Sequence, residues 1–455
     1  MFSEQLPHDQ RTSIDSDVFF RDESAFTDDE IKPFTTANRS KVDLIALEEQ
    51  RVNVIRVVHL ALIFLLLFSA YNPVQNMISV LFTQIGEDYV GIFAMIIINQ
   101  CNGLGNLVAP IIAPKFNYRD IFAASTVAFV TLISAGKMVS SCELHDPSFM
   151  CQTSVIYALM MAASIMTGFG MCFIWFTASI YVQECSNEHN KGRMFGLFGA
   201  INQSCNLTGA LIALILLKSF GVSGFFFCQT LLSIAAAFLF LTVKKPYSLR
   251  TSREQISRVE NPITIQKIIH FMNRDKMKSC IPLFILSSFS FSFFVNNLSK
   301  MTSYSVQDLP VDEANAKVGY VLIMLGISEF GASLVCGALF DKDRRFTLTM
   351  IMYFAFAVIG LNYIAYRWNI FWLYFLVAIC FGFLDSGLQV CIGAMLGGRF
   401  NEKYEPFAVF RFVQGMGQAF FFLVLLILEK SWPQAMFLLY LLIAYYVWEN
   451  RKGLF

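Results

Sequence analysis

Stretches of about twenty apolar residues, the length a helix needs to cross roughly 30 Å of hydrocarbon, recur along this chain of 455 residues. No other feature restricts the fold as strongly. In lipid a backbone must satisfy its own hydrogen bonds, so each stretch is expected to be an α-helix. The run Ile63-Phe64-Leu65-Leu66-Leu67-Phe68 is apolar on every face, unlike the alternating strand of a membrane barrel. Twelve spans are expected, at 54–78, 90–113, 120–140, 153–183, 194–217, 222–243, 279–303, 316–340, 346–366, 369–397, 406–428 and 432–449. The composition fits this: 56% of residues are hydrophobic and only 15% charged, against about 25% charged in soluble domains. The expected fold class is an all-α membrane protein with two six-helix pseudo-repeats. Residues 1–50 are expected as a disordered cytoplasmic tail, 51–243 and 279–455 as the two bundles, and 244–278 as a basic, amphipathic cytoplasmic linker.

Charge sets the orientation. Twenty of the 34 Lys and Arg residues lie in connections after even-numbered spans or at the C-terminus, and six on the opposite side. Another seven are in the N-terminal tail and the entrance to the first span. By the excess of basic residues in cytoplasmic loops, both termini and the linker face the cytoplasm of a multi-pass protein. The halves also echo each other. Gly168-Phe169-Gly170 precedes Cys380-Phe381-Gly382 by 212 positions, as Phe195 and Phe198 precede Phe407 and Phe410; Gly105 and Arg119 precede Gly331 and Arg345 by 226.

Several functions are disfavoured. A net charge of +1 argues against a nucleic-acid partner. The five histidines have no metal-pair spacing, no G-x-x-x-x-G-K-[ST] loop is present, and no constellation indicates an enzyme or a cofactor. Most of the 11 cysteines lie in apolar blocks; Cys142 and Cys151 instead flank a short polar loop and would pair if it faces an oxidising compartment.

Five segments carry a family resemblance: Gly105 to Pro110; Ser186 to Arg193 running into Phe198 to Ser204; Gly326-Ile327-Ser328-Glu329; Gly382 to Ser386; and Pro406 to Gln414. Together they resemble the UNC-93-like branch of the major facilitator superfamily, over about 370 residues from the first span to the eleventh. The seventh span departs, with Ser290-Phe291-Ser292-Phe293 where the family has a glycine- and acid-containing stretch. The resemblance implies the facilitator fold. Its members include a channel regulatory subunit, a receptor-escorting chaperone and orphan transporters, so two readings follow. One is a secondary transporter of a small solute by alternating access; the other is a non-transporting partner that regulates or traffics a channel or receptor.

The candidate residues fall into two sets. Ionisable side chains inside spans are expensive and mark function by default. Glu329 and Asp385 lie mid-span, and Arg411 lies near the start of the eleventh span, where a pairing with Asp385 is expected. In the facilitator arrangement the first, fourth, seventh and tenth spans line the cavity, which adds Gln75, Asn76, Trp175 and Asn296 as substrate or coupling candidates. The amide stripes Asn99, Asn102, Asn106 and Asn202, Asn206 are expected to make interhelical hydrogen bonds. The second set, Gly337, Asp341, Arg344 and Arg345, resembles the facilitator gating loop; its aspartate is expected at a helix N-terminus or an arginine across the interface.

Overall fold

A computed structural model describes residues 36–84, 89–142, 148–247, 263–427 and 432–450. Every regular element among them is helical. In chain order they are α1 (Thr36–Gln84), α2 (Val90–Gly105), α3 (Ala109–Ile112), α4 (Tyr118–Val139), α5 (Thr153–Cys185), α6 (Lys191–Phe240), α7 (Ile265–Met272), α8 (Asp275–Lys278), α9 (Ile281–Tyr304), α10 (Val311–Lys342), α11 (Arg344–Arg367), α12 (Leu373–Arg399), α13 (Glu405–Ile427) and α14 (Trp432–Asn450). Eight of the described helices are long and apolar enough to cross a membrane, or nine if α2 and the segment Ala109–Lys115, bent by 48°, form one span.

Two expectations are corrected and a third is sharpened. Part of the expected disordered tail is helical, because α1 starts at Thr36; Leu44 to Arg51 is rich in good helix formers. The expected span 90–113 breaks after Gly105, because Pro110 has no N–H to continue the ladder and sits instead in the first turn of α3. The expected spans 194–217 and 222–243 abut within α6, separated only at Gly221, whose φ of 67° and ψ of −174° favour glycine. Of the basic linker, residues 244–247 and 263–278 are among those described. Thr264 caps α7, accepting from the backbone N–H of Lys267, and α7 buries Ile268 and Phe271. The Phe271 ring lies 5.3 Å from that of Phe400.

The core is built where bare backbones meet. The contact of α6 with α10 is extensive and needs small residues: a Cβ on Gly192 would stand 2.5 Å from the Gly337 carbonyl oxygen, and one on Gly196 2.6 Å from that of Ser333. At the other long seam, α2 against α13, a Cβ on Gly415 would lie 2.5 Å from the Gly103 nitrogen. Such close approach gives dispersion contact that lipid cannot replace. Farther along the first seam the packing loosens: Leu214 and Ile215 are exposed, and a Cβ on Gly319 would meet nothing within 4 Å.

Candidate functional site

Depth along the helices is set by the 1.5 Å rise per residue. Counting from the ends at Lys191, Lys342 and Arg399, Asn206, Glu329 and Asp385 all lie about 20–22 Å in. The structure joins them in one layer. Gly382, one turn before Asp385, packs on the Glu329 backbone, where a Cβ would be 2.9 Å from its nitrogen. The two carboxylates face one cavity and are almost fully buried, at 1% and 2% exposure. Asn206 Nδ2 donates to Glu329 Oε2 at 2.8 Å, and Gln203 Nε2 to Asp385 Oδ2 at 3.3 Å. Asn206 Oδ1 in turn accepts from Asn72 Nδ2 at 2.8 Å. Asp385 Oδ1 has no hydrogen-bond partner. Among the described residues, the hydrogen-bond partners of these carboxylates are therefore neutral amides.

Arg411 is not the partner of Asp385. It lies only about 9 Å from the start of α13, and the side chains cannot span the difference of about 12 Å in depth. Its Nη1 donates to Gln414 Oε1 at 2.7 Å and its Nη2 to Ser179 Oγ at 3.4 Å. Its guanidinium carbon lies 5.1 Å from the Trp175 ring centre and 4.9 Å from that of Phe410. Both layers open on a cavity of about 180 Å³.

Gln75 and Trp175 line that cavity; the side chains of Asn76 and Asn296 lie outside the described residues. The asparagine stripe on α2 is corrected: Asn99 and Asn106 donate to the carbonyls of Met95 and Asn102 in their own helix, while Asn99 and Asn102 also line the cavity. Asn206 does bond between helices. Sequence reasoning missed Asn72, Gln203 and Gln389. Gln203 was findable, since it lies one turn before Asn206 and so shares its face.

The cavity is shut at the end where α6 begins and α10 ends. Asp341 accepts from the backbone N–H of Gly192 at 2.7 Å and of Arg193 at 2.9 Å, capping the N-terminus of α6. Gly337 permits the approach, Arg344 lies over the Phe340 ring at 5.7 Å, and Arg345 is exposed. A second clasp joins Glu184 at the end of α5 to Lys403, between α12 and α13. Burial opposes the charge on Lys403, but Glu184 and Tyr404 together outweigh it and hold the lysine above its ordinary pKa. Lys191 Nζ also donates to the Gly397 carbonyl at 2.7 Å. At the opposite end, Cys142 and Cys151 form a disulfide across the α4–α5 connection. Among the described residues no group of three His, Cys, Asp or Glu side chains could hold a metal.

Residues 60–420 match the Major Facilitator Superfamily profile. No curated protein matches. Several solved structures share the fold. The proton:xylose symporter XylE bound to 6-bromo-6-deoxy-D-glucose is 14% identical, with a TM-score of 0.64 over 88% of this chain and 96% of that one. The human organic anion transporter MFSD10 (TETRAN) is 13% identical, with a TM-score of 0.63 over 88% and 99%. A bacterial homologue of the iron transporter ferroportin, in an outward-facing state with soaked iron, is 13% identical, with a TM-score of 0.62 over 88% and 98%. At such identities the likeness establishes the architecture alone. The profile covers most of the sequence, and the chain belongs to the Major Facilitator Superfamily.

Proposed function

We propose that the protein is a proton-coupled secondary transporter of a small solute, working by alternating access, within the UNC-93-like branch. The observation that carries this is the Glu329–Asp385 layer: two buried carboxylates on facing helices, bonded only to amides, opening on a central polar cavity. Two bare charges so placed carry a large desolvation cost, and among the described residues no cation pairs with either to offset it. A proton bound at the free Asp385 Oδ1 removes part of that cost, and its release to one side of the membrane couples a gradient to helix movement. Among the described residues, the ionisable groups that act on the pair are Cys205 on α6 and Tyr440 on α14. The open cavity also favours transport over the regulatory or trafficking reading, which calls for a side-chain-filled centre. Uptake by purified protein in proteoliposomes, screened across solutes with and without a pH gradient, tests the reading. No solute-dependent proton movement in any condition would sink it.

In the same reading, twelve crossings form two six-helix bundles, 51–243 and 279–455, with the 244–278 linker and both termini cytoplasmic. Two independent features support this. The disulfide lies at the end opposite the basic loops, as an oxidising exterior or lumen requires. The repeat-matched Phe195 and Phe407 stack on each other, with ring centres 6.3 Å apart, as equivalent residues near a two-fold axis do. The state described here is then closed toward the cytoplasm. Peptide mapping without reductant should recover Cys142 joined to Cys151. Closing a loop of that size stabilises by about 2–3 kcal/mol, so Cys142→Ser should lower the melting temperature of the purified protein. An unchanged melting temperature would remove the disulfide as a stabilising element.

Asp341 is the cytoplasmic latch. Asp341→Ala leaves the first N–H groups of α6 without their acceptor, at about 0.5–2 kcal/mol. The expected result is faster labelling of cysteines placed in the cavity by a cytoplasmic thiol reagent, with Asp341→Asn intermediate. Equal labelling in all three proteins would exclude the latch.

A further inference from the structure

The proton-binding layer leaves the second charged layer of the cavity unused. Arg411 packs its guanidinium against the rings of Trp175 and Phe410, which offer it no hydrogen-bond acceptor and leave its N–H groups to other partners. Those groups are under-occupied. A guanidinium carries five N–H donors, and the protein partners are one amide oxygen and one hydroxyl, the latter at a long 3.4 Å. Nε is buried with no acceptor at all. The described ion pairs are formed elsewhere, and none involves Arg411. Interior guanidinium groups are normally matched by an anion, because removing a charge from water without one is expensive. Here the expected internal counter-ion, Asp385, stands about 12 Å away in depth.

We propose that the solute is an organic anion, bound through its carboxylate to the guanidinium of Arg411, with its apolar body along Trp175, Phe198 and Phe407. This rests on the transport reading and names the substrate class of the same cavity. The carboxylate displaces Ser179 from its long bond and offers the fork a charged acceptor, the strongest partner for that planar donor set. The phenylalanines supply the apolar wall, and the carboxylates of the other layer lie away from the anion by the same offset in depth. An organic cation would meet the Arg411 charge on entering this layer and is disfavoured there.

The test uses the full-length protein in detergent and in proteoliposomes, with benzoate, phenylacetate and octanoate as probes. Their amides serve as neutral counterparts, and benzylammonium as the cation. Bond strengths to charged groups predict that acids bind at least about tenfold more tightly than their amides. Binding is read as thermal stabilisation and as quenching of tryptophan fluorescence, the quenching being lost in Trp175→Phe. Arg411→Gln should abolish the preference for acids, and Arg411→Lys should keep part of it. The comparison of acid with amide in the unaltered protein stands even where a variant folds poorly. Amides or benzylammonium binding as well as the acids, an acid preference that survives Arg411→Gln, or no acid binding at millimolar concentration would each overturn the proposal. The two readings fail separately: acids that bind through Arg411 but never cross the membrane refute transport and leave the anion site. Counterflow of a neutral or cationic solute, indifferent to Arg411, refutes the anion site and leaves transport.

Discussion

With asparagine in place of Asp385, proton-driven accumulation stops while exchange of solute across the membrane continues. The substitution keeps the shape of the side chain and its bond to Gln203, but removes the group that loads and releases the proton. Exchange needs only that the loaded protein change conformation, whereas uphill uptake needs a second gradient tied to that change. In proteoliposomes with an imposed pH gradient, the final inside-to-outside solute ratio should fall to about one, and the pH dependence of transport should vanish. Targeting and folding should be intact, because an amide is cheaper than a carboxylate to bury there. Glu329→Gln should behave in the same direction, since its partner is also an amide donor and the two acids share one layer. Accumulation that survives in both single variants and in the double variant would remove the pair from the mechanism.

The second large effect is steric. Valine at Gly192 puts side-chain atoms where the Gly337 carbonyl oxygen already stands 2.5 Å from an ideal Cβ, and backbone on both sides leaves nothing to move aside. Overpacking of this kind costs about 1–3 kcal/mol. Because it acts only where α6 and α10 touch, it should push the protein away from the closed cytoplasmic end, a population shift of roughly 5- to 150-fold. A cysteine at Ser333 should become reactive to a cytoplasmic reagent in Gly192→Val. Gly331→Val is the matched control: it lies on the same helix as Ser333 and Gly337, but its Cβ would meet nothing within 4 Å. Equal reactivity in the two variants would show that the seam does not hold the closed state.

Gly331 also limits the repeat pattern. Its counterpart Gly105 is tightly packed, with a Cβ only 2.9 Å from the Cys172 sulfur, so that spacing match is not mirrored in packing. The match of Gly170 with Gly382 is not mirrored either: a Cβ on Gly170 would fall 2.6 Å from Ala128 on α4, the third span of its half, and one on Gly382 2.6 Å from Ser328 on α10, the second of its half. The pairing of Phe195 with Phe407 does hold in space. Sequence spacing alone does not distinguish these cases, because a glycine conserves its contact only if its helix face is turned inward.

That distinction runs through the whole molecule. The sequence by itself determined what is local or axial: helices in lipid, since a backbone surrounded by hydrocarbon has no other partner, and the depth of each polar group, since the rise per residue is constant. Counted that way, Glu329 and Asp385 were already level and Arg411 already too shallow to reach them. The tertiary structure alone decided which groups meet sideways. Gln203 on Asp385, Asn206 on Glu329 and Trp175 over Arg411 join helices far apart in the chain. Those meetings depend on the rotation of each helix, which is fixed by how backbones pack at Gly192, Gly337 and Gly382 and not by the order of residues along any one of them.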